Sequence, residues 1–161
     1  MDLIIVLGVT TLIVWLLRFF RGFSWMTLPI AVSCGLAMMF LSTGIAHFTP
    51  MKQDLVRMVP AIFPYPEALI AITGVLELLG AIGLLIPRTR FWAASCLMLL
   101  LIVMFPANIK AALEQLPRVG ESLWTRLPEQ LFYLAVLAFV AFSSRSVKKG
   151  SKAIDERSVT R

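Results

Sequence analysis

The sequence predicts an all-α protein, a polytopic bundle of transmembrane helices. Hydrophobic residues make up 59% of the chain and charged residues only 15%, and the mean hydropathy is +0.87. A soluble domain of 161 residues has no core large enough to bury that much apolar surface. The apolar residues also form continuous runs close to the roughly 20 residues that a helix needs to cross a membrane. The strands of a membrane barrel would instead be short and would alternate in polarity.

Five such runs are predicted to be membrane spans. They cover residues 3–20, 25–48, 67–86, 91–109 and 127–143. The first could be a signal peptide, but Asp2 stands where a basic residue is expected, and no small-residue cleavage site follows Arg18 and Arg21. We therefore interpret it as a retained helix. Residues 49–66 predict a short interfacial helix followed by a stiff loop, which serves either as an anchoring connection or as a lid over an outward-facing site.

Two prolines affect the geometry of the predicted spans. Pro106 falls inside the fourth span, where it removes a backbone hydrogen bond and predicts a kink that turns Asn108 toward the bundle. Pro128 is predicted to lie in the first turn of the last span, where its missing N–H is harmless.

The basic residues predict the orientation of the chain. An amino terminus outside and a carboxyl terminus in the cytoplasm place ten of the fifteen Lys and Arg residues on the cytoplasmic side. Topology thus accounts for most of the formal net charge of +6. Contact of the basic tail with anionic lipid or a partner is the alternative. Nucleic acid is not an expected partner, and the pattern favours the plasma membrane of a bacterium.

Four polar residues inside the spans are the candidate site. Glu77 is the only charge between Ala68 and Pro87, and inserting a carboxylate at that depth costs about 2.5 to 3.5 kcal/mol. Glu77 should therefore face protein or a wet cavity. Thr73, Glu77 and Gly80 are spaced to share one face of a helix, which would let a neighbouring backbone come close.

The other three site residues are expected near the outer ends of their helices, above Glu77. They are His47, Asn108 and Gln130. All four residues could share one outward-opening pocket for a ligand, a proton or a partner. Each also has a structural alternative: a hydrogen-bonded carboxyl for Glu77, an interfacial hydrogen bond for His47, and interhelical bonds for the two amides.

No self-contained catalytic set can be identified in the sequence. It has no glycine-rich phosphate loop, no serine nucleophile with its base, and no histidine pair to ligate a haem. Cys34 and Cys96 form no Cys-x-x-Cys motif and are expected to pack as apolar side chains. Catalytic residues therefore stay unknown. We expect no metal and no intrinsic cofactor, and the lack of a catalytic set favours a non-enzymatic protein while leaving catalysis open.

The motifs from about Gly44 to Gln130 resemble those of DoxX-like membrane proteins. The matching segments are Gly44-Ile-Ala-His47-Phe-Thr-Pro50, Phe63-Pro-Tyr-Pro66, Thr73-Gly-Val-Leu-Glu77-Leu-Leu-Gly80, Phe105-Pro-Ala-Asn108-Ile and Arg126-Leu-Pro-Glu129-Gln130. The resemblance implies a four-helix core over residues 22–144, an added transmembrane helix over residues 1–21 and a basic cytoplasmic tail over residues 145–161. It also implies the same four candidate site residues, whereas Glu129 departs from the apolar residue that relatives often have.

The resemblance leaves three functions open. DoxX-like relatives include a subunit associated with thiosulfate:quinone oxidoreduction, redox-associated membrane proteins and a receptor-assembly chaperone, so fold-level analogy selects no activity. We favour an integral membrane accessory protein that binds a membrane-protein partner or a lipid-like small molecule. A membrane subunit of a quinone-linked oxidoreductase is the first alternative, with quinone as ligand and Glu77 and His47 handling protons. The second is a small transporter, which five spans would support only as a homo-oligomer.

Overall fold

All the regular secondary structure of the described chain is helical. The computed structural model describes residues 3–19, 25–114 and 122–159, with side chains described as far as Arg145, and it contains no strand within these ranges. The helices are α1 (Leu3–Leu16, followed by a 3-10 turn at Leu17–Phe19), α2 (Leu28–Ala46), α3 (Lys52–Met58), α4 (Pro66–Leu85), α5 (Arg90–Val103), α6 (Phe105–Leu113) and α7 (Leu123–Val159). The predicted all-α class is confirmed.

Three or four of the described helices are candidates to cross a membrane. Helices α2 and α4 and the part of α7 from Leu123 to Arg145 are each long and apolar enough. Helices α5 and α6 add a fourth candidate if this pair, bent by 41°, is one span. Helix α1 has 14 residues and is about 21 Å long, which is shorter than a hydrocarbon layer of about 30 Å. The first predicted span is therefore longer than the helix found there. Its last residue, residue 20, lies outside the described residues, and so do two of the basic residues that were counted for the orientation, Arg21 and Arg118.

The bundle is a ring of four helices with α1 packed against one of them. Helix α2 contacts α4, α4 contacts α5, α5 contacts α7, and α7 returns to α2, while α1 packs on α2. The shared core is Leu7, Leu36, Phe40, Leu84, Leu97, Leu137 and Val140, together with smaller neighbours. The opposite face of α4 exposes apolar side chains: Ile72, Val75, Leu76, Leu79, Ile82 and Leu85. An apolar outer surface of this kind fits contact with lipid.

Small residues set the distances between the helices. At Gly44, an added Cβ would lie 2.8 Å from the Leu78 side chain and 3.2 Å from the Gly74 carbonyl oxygen. At Gly35, an added Cβ would overlap the Thr11 hydroxyl. Helices α1 and α4 therefore both approach the backbone of α2 closely, because glycine leaves the space.

The two ends of the bundle are built differently. At one end, the short turn between α4 and α5 is closed by Arg90, whose Nε donates to the Leu84 carbonyl at 2.8 Å. At the other end, α3 lies over the bundle and packs on α6 through Met58 and Ala111. The short helix predicted between the second and third spans is thus present as α3.

Of the two predictions made for the prolines, the structure confirms the one for Pro106 and contradicts the one for Pro128. Pro106 is the second residue of α6 and sits beside the break from α5, so the predicted kink is confirmed. Pro128 is the sixth residue of α7, and the prediction that it lies in the first turn is wrong because α7 starts at Leu123. The missing N–H leaves the Trp124 carbonyl without its helical donor, at an exposed residue where another partner can reach it. Helix α7 then continues without a break past Arg145 to Val159.

We expect Gly35→Ala to destabilise the packing of α1 on α2. The new Cβ would also lie 2.7 Å from the Leu7 backbone carbonyl oxygen, so α1 would have to move as a whole. The expected loss is about 1 to 3 kcal/mol, measured as the free energy of unfolding in detergent. Gly8→Ala in α1 is the matched control, because nothing lies within 4 Å of the added Cβ there. Equal stability of the two variants would contradict this packing.

Candidate functional site

Of the buried polar residues among those described, His47, Glu77 and Gln130 line one pocket, of about 390 Å³, at the end covered by α3 and α6. All four predicted site residues lie on its wall: His47, Glu77, Asn108 and Gln130. Glu77 lies in α4, Asn108 in α6 and Gln130 in α7, and His47 is the residue directly after α2. The volume falls in the range of about 300 to 1,000 Å³ that small-molecule sites occupy. The structure thus brings together the residues that the sequence predicts to converge.

His47 and Glu77 lie beside each other at the inner part of this pocket. Helix α2 ends at Ala46, and His47 packs on Gly74, where an added Cβ would be 2.6 Å from the His47 Cβ. Gly74 is more than two turns inside α4 and one turn from Glu77, so the His47 Nδ1 is 4.0 Å from the Glu77 Oε2. His47 lies at the end of its helix, as predicted, but it lies beside Glu77 and not above it, because α2 ends level with Gly74, about two turns inside α4.

Both side chains keep one polar atom without a hydrogen-bond partner. The side chains of His47 and Glu77 are only 4% and 6% exposed. Among the described residues, neither the His47 Nε2 nor the Glu77 Oε2 has a partner. A buried polar atom left in this way costs about 1 to 3 kcal/mol. Such a cost persists in a native structure when a function or a bound molecule accounts for it.

The opposite wall carries a chain of hydrogen bonds that joins three helices. Arg126 Nη1 donates to the Asn108 Oδ1 at 3.3 Å, and the Asn108 Nδ2 donates to the Gln130 Oε1 at 2.8 Å. The Gln130 Nε2 then donates to the Leu101 carbonyl at 2.6 Å. Leu101 lies in the last turn of α5, where carbonyls lack helical partners. Asn108 and Gln130 therefore make the interhelical bonds that were one of their two predicted roles.

The sequence reasoning missed Arg126 and Tyr133 as residues of the site. Both line the pocket with Gln130, at positions i, i+4 and i+7 of α7. Arg126 was expected in a loop because the last span was predicted to begin at residue 127. The helix begins four residues earlier, and the same spacing argument that was applied to Glu77 would have placed Arg126 on the inward face.

The predicted stripe on α4 is buried at Glu77 and Gly80 but not at Thr73. Thr73 is only half-buried, and its hydroxyl donates to the Ile70 carbonyl at 3.0 Å. The buried residue on that turn is Gly74, in line with Glu77 and Ala81. The small residue above the carboxylate is therefore the glycine that lets His47 approach.

Ser42, Thr43 and Glu129 also line the pocket, and apolar side chains form the rest of its wall. They are Leu3, Met39, Phe40, Ala46, Leu101 and Met104 from the bundle and Met51, Leu55 and Met58 from α3 and the turn before it. Lys110 of α6 holds α3 in place, because its ammonium group donates to the carbonyls of Arg57 at 2.8 Å and Val59 at 3.0 Å. Of the two roles predicted for residues 49–66, α3 has the position of a lid.

The described residues offer no metal site. Within the ranges that the structure describes, no three His, Cys, Asp or Glu side chains are grouped to hold an ion. Cys34 is half-buried and Cys96 is exposed, and both are free thiols. The chemistry of the pocket is therefore that of the imidazole, the carboxyl groups, the amides, the hydroxyls and the guanidinium.

Comparison with known proteins gives one match. A family model described as "Domain of unknown function (DUF8561)" matches residues 36–141, which include all four predicted site residues and leave out α1. No curated protein and no solved structure matches the chain. None of these findings points to the DoxX-like family.

We expect Gln130→Ala to destabilise the bundle by about 1 to 3 kcal/mol, because it leaves the Leu101 carbonyl and the Asn108 amide without their partner. Thermal melting followed by near-ultraviolet circular dichroism measures the change. Gln53→Ala, at an exposed position of α3, is the matched control and should melt like the wild type. A melting temperature for Gln130→Ala equal to that of the control would show that the hydrogen-bond chain contributes no stability.

We expect Lys110→Met to release α3. Hydrogen bonds to a charged group contribute about 1.5 to 3 kcal/mol, so exchange of the amide hydrogens of α3 should become about tenfold faster or more. Hydrogen exchange read by mass spectrometry on peptides from α3 measures this. The matched control is Lys52→Met, since Lys52 pairs at 3.6 Å with the exposed carboxylate of Glu67, and such pairs contribute little. Similar exchange in both variants would show that Lys110 does not hold α3.

Proposed function

Because the chain belongs to the DUF8561 family, whose description assigns no activity, we propose its function from its own site: it is an integral membrane accessory protein that binds a small amphipathic molecule in the pocket. One observation carries the proposal. The His47 Nε2 and the Glu77 Oε2 are buried without partners on the wall of a pocket of about 390 Å³. The polar group of a ligand would satisfy these atoms and remove the cost of burying them.

The composition of the wall supports an amphipathic ligand. The polar groups lie on facing parts of the pocket, and apolar side chains fill the space around them. Met39, Met58 and Met104 are among these, and methionine adapts its shape to irregular apolar groups. A lipid-like molecule therefore fits better than a fully polar metabolite.

A small molecule also fits this site better than a protein partner does. His47 is 3% exposed and Glu77 is 4% exposed, beneath the cover formed by α3 and α6. A helix of another protein would have to displace this cover to reach either side chain. Partner binding to the outer surface of the bundle is compatible with the proposal but does not account for the unpartnered atoms.

A quinone-linked role is the second candidate, and the proximity of His47 and Glu77 favours it. An imidazole and a carboxyl group 4.0 Å apart can accept and release protons as a quinone is reduced or oxidised. Neither side chain carries electrons, so a redox partner would have to supply the cofactor. In this reading the chain is the quinone-binding membrane subunit, in accord with its resemblance to DoxX-like proteins.

We place the protein in a bacterial plasma membrane with the pocket end outward. The turn between α4 and α5, with Arg88 and Arg90, lies at the opposite end of the bundle from α3. The positive-inside rule assigns that basic turn to the cytoplasm.

We expect a small molecule to stay bound to the wild-type protein when it is extracted from the membrane, and to be absent from the Glu77→Gln variant. Native mass spectrometry of protein released from its own membrane in mild detergent measures both. Glu67→Gln is the matched control, since it makes the same change in α4 at an exposed carboxylate outside the pocket. The mass of the released molecule distinguishes a quinone from another lipid. The small-molecule proposal would be overturned if the wild-type protein carried another membrane protein but no small molecule, or if it carried nothing.

A further inference from the structure

We infer that the ligand carries a hydroxyl group on an apolar body and donates a hydrogen bond from it to the Nε2 of His47. This inference rests on the proposed function and specifies the class of ligand. It starts from the ring of His47, which is the only histidine of the chain.

The backbone of α2 fixes which nitrogen of His47 carries the hydrogen. The Nδ1 lies 2.8 Å from the carbonyl oxygen of Thr43, in the last turn of α2. A carbonyl oxygen only accepts, so the Nδ1 must donate and must carry a hydrogen. In a neutral imidazole the Nε2 then has no hydrogen and is an acceptor. The unpartnered ring atom at the pocket therefore requires a donor from the ligand.

The other described polar residues of the pocket do not supply that donor, since the Nε2 has no partner among them. The hydroxyls of Ser42 and Thr43 donate to the carbonyls of Met38 and Phe40. The donating groups of Asn108 and Gln130 are directed to Gln130 and Leu101 in the hydrogen-bond chain. The Oε2 of the Glu77 carboxyl is 4.0 Å from the Nδ1, beyond hydrogen-bonding distance. The hydrogen-bond donor for the Nε2 therefore has to come from the bound ligand.

A hydroxyl suits this site better than the other common lipid head groups. It donates to the Nε2 and can still accept from a protonated carboxyl, so it satisfies the pocket in either state of Glu77. An ionised carboxylate has no hydrogen to donate and would lie beside Glu77. An ammonium group would lose its hydration in a pocket that Arg126 already lines.

Nitrogen NMR of the protein labelled with ¹⁵N at histidine tests the inference, because the single histidine gives one pair of ring signals. The probes are 1-octanol and its isomer heptyl methyl ether, which have the same formula but differ in the presence of a donor. In lipid nanodiscs at a pH where the ring is neutral, we expect hydrogen on the Nδ1 only. Octanol should shift the Nε2 signal, and the ether should bind about tenfold more weakly or worse.

Two results would overturn the inference and leave the proposed function standing. One is a neutral ring with its hydrogen on the Nε2, and the other is equal displacement of the ring signals by both probes, which would show that the pocket fills without selecting a donor. Absence of any shift with either probe would also overturn it. That result extends to the proposed function only if the wild-type protein also releases no small molecule in the native mass spectrum.

Discussion

The structure depends on the satisfaction of polar groups inside an apolar bundle. Where water is excluded, a buried N–H or C=O must find its partner within the protein. The carbonyl of Leu101 is freed at the end of α5 and is bonded by Gln130, while those at the end of α3 are bonded by Lys110. Both of these irregularities of the backbone are thus matched by a polar side chain from another helix, and these side chains help to build one end of the bundle.

The pair of His47 and Glu77 stands apart from this pattern. Glycine at position 74 lets the imidazole approach α4, and the close approach buries both side chains without completing their hydrogen bonds. Better stability would come from apolar residues of similar volume at both positions, because a buried charge or polar group stabilises less than it costs when it is incompletely paired. The stability of the fold therefore does not explain the arrangement, whereas the proposed ligand would.

The sequence was sufficient for the class of fold and for four residues of the site, since these depend on composition and on the rarity of polar residues in apolar runs. His47, Asn108 and Gln130 converge with Glu77 in the pocket for that reason. Helix ends were not predictable in the same way. The hydropathy of residues 47 and 48 does not show that α2 has already ended. Pro128 suggests a helix that starts close to it, whereas α7 starts at Leu123. The ends of the helices determine how deep each side chain lies in the bundle, and the contact of His47 with Gly74 depends on where α2 ends.

The hydrogen-bond chain from Arg126 to Leu101 has a consequence for how the pocket adapts. A guanidinium only donates and a carbonyl only accepts, so the two groups at the ends of the chain fix the orientation of both amides between them. Neither Asn108 nor Gln130 can rotate its amide by half a turn without losing bonds at both neighbours. This wall is preorganised and directional, so the proposed ligand would meet fixed hydrogen-bonding groups and little entropy would be lost in ordering them.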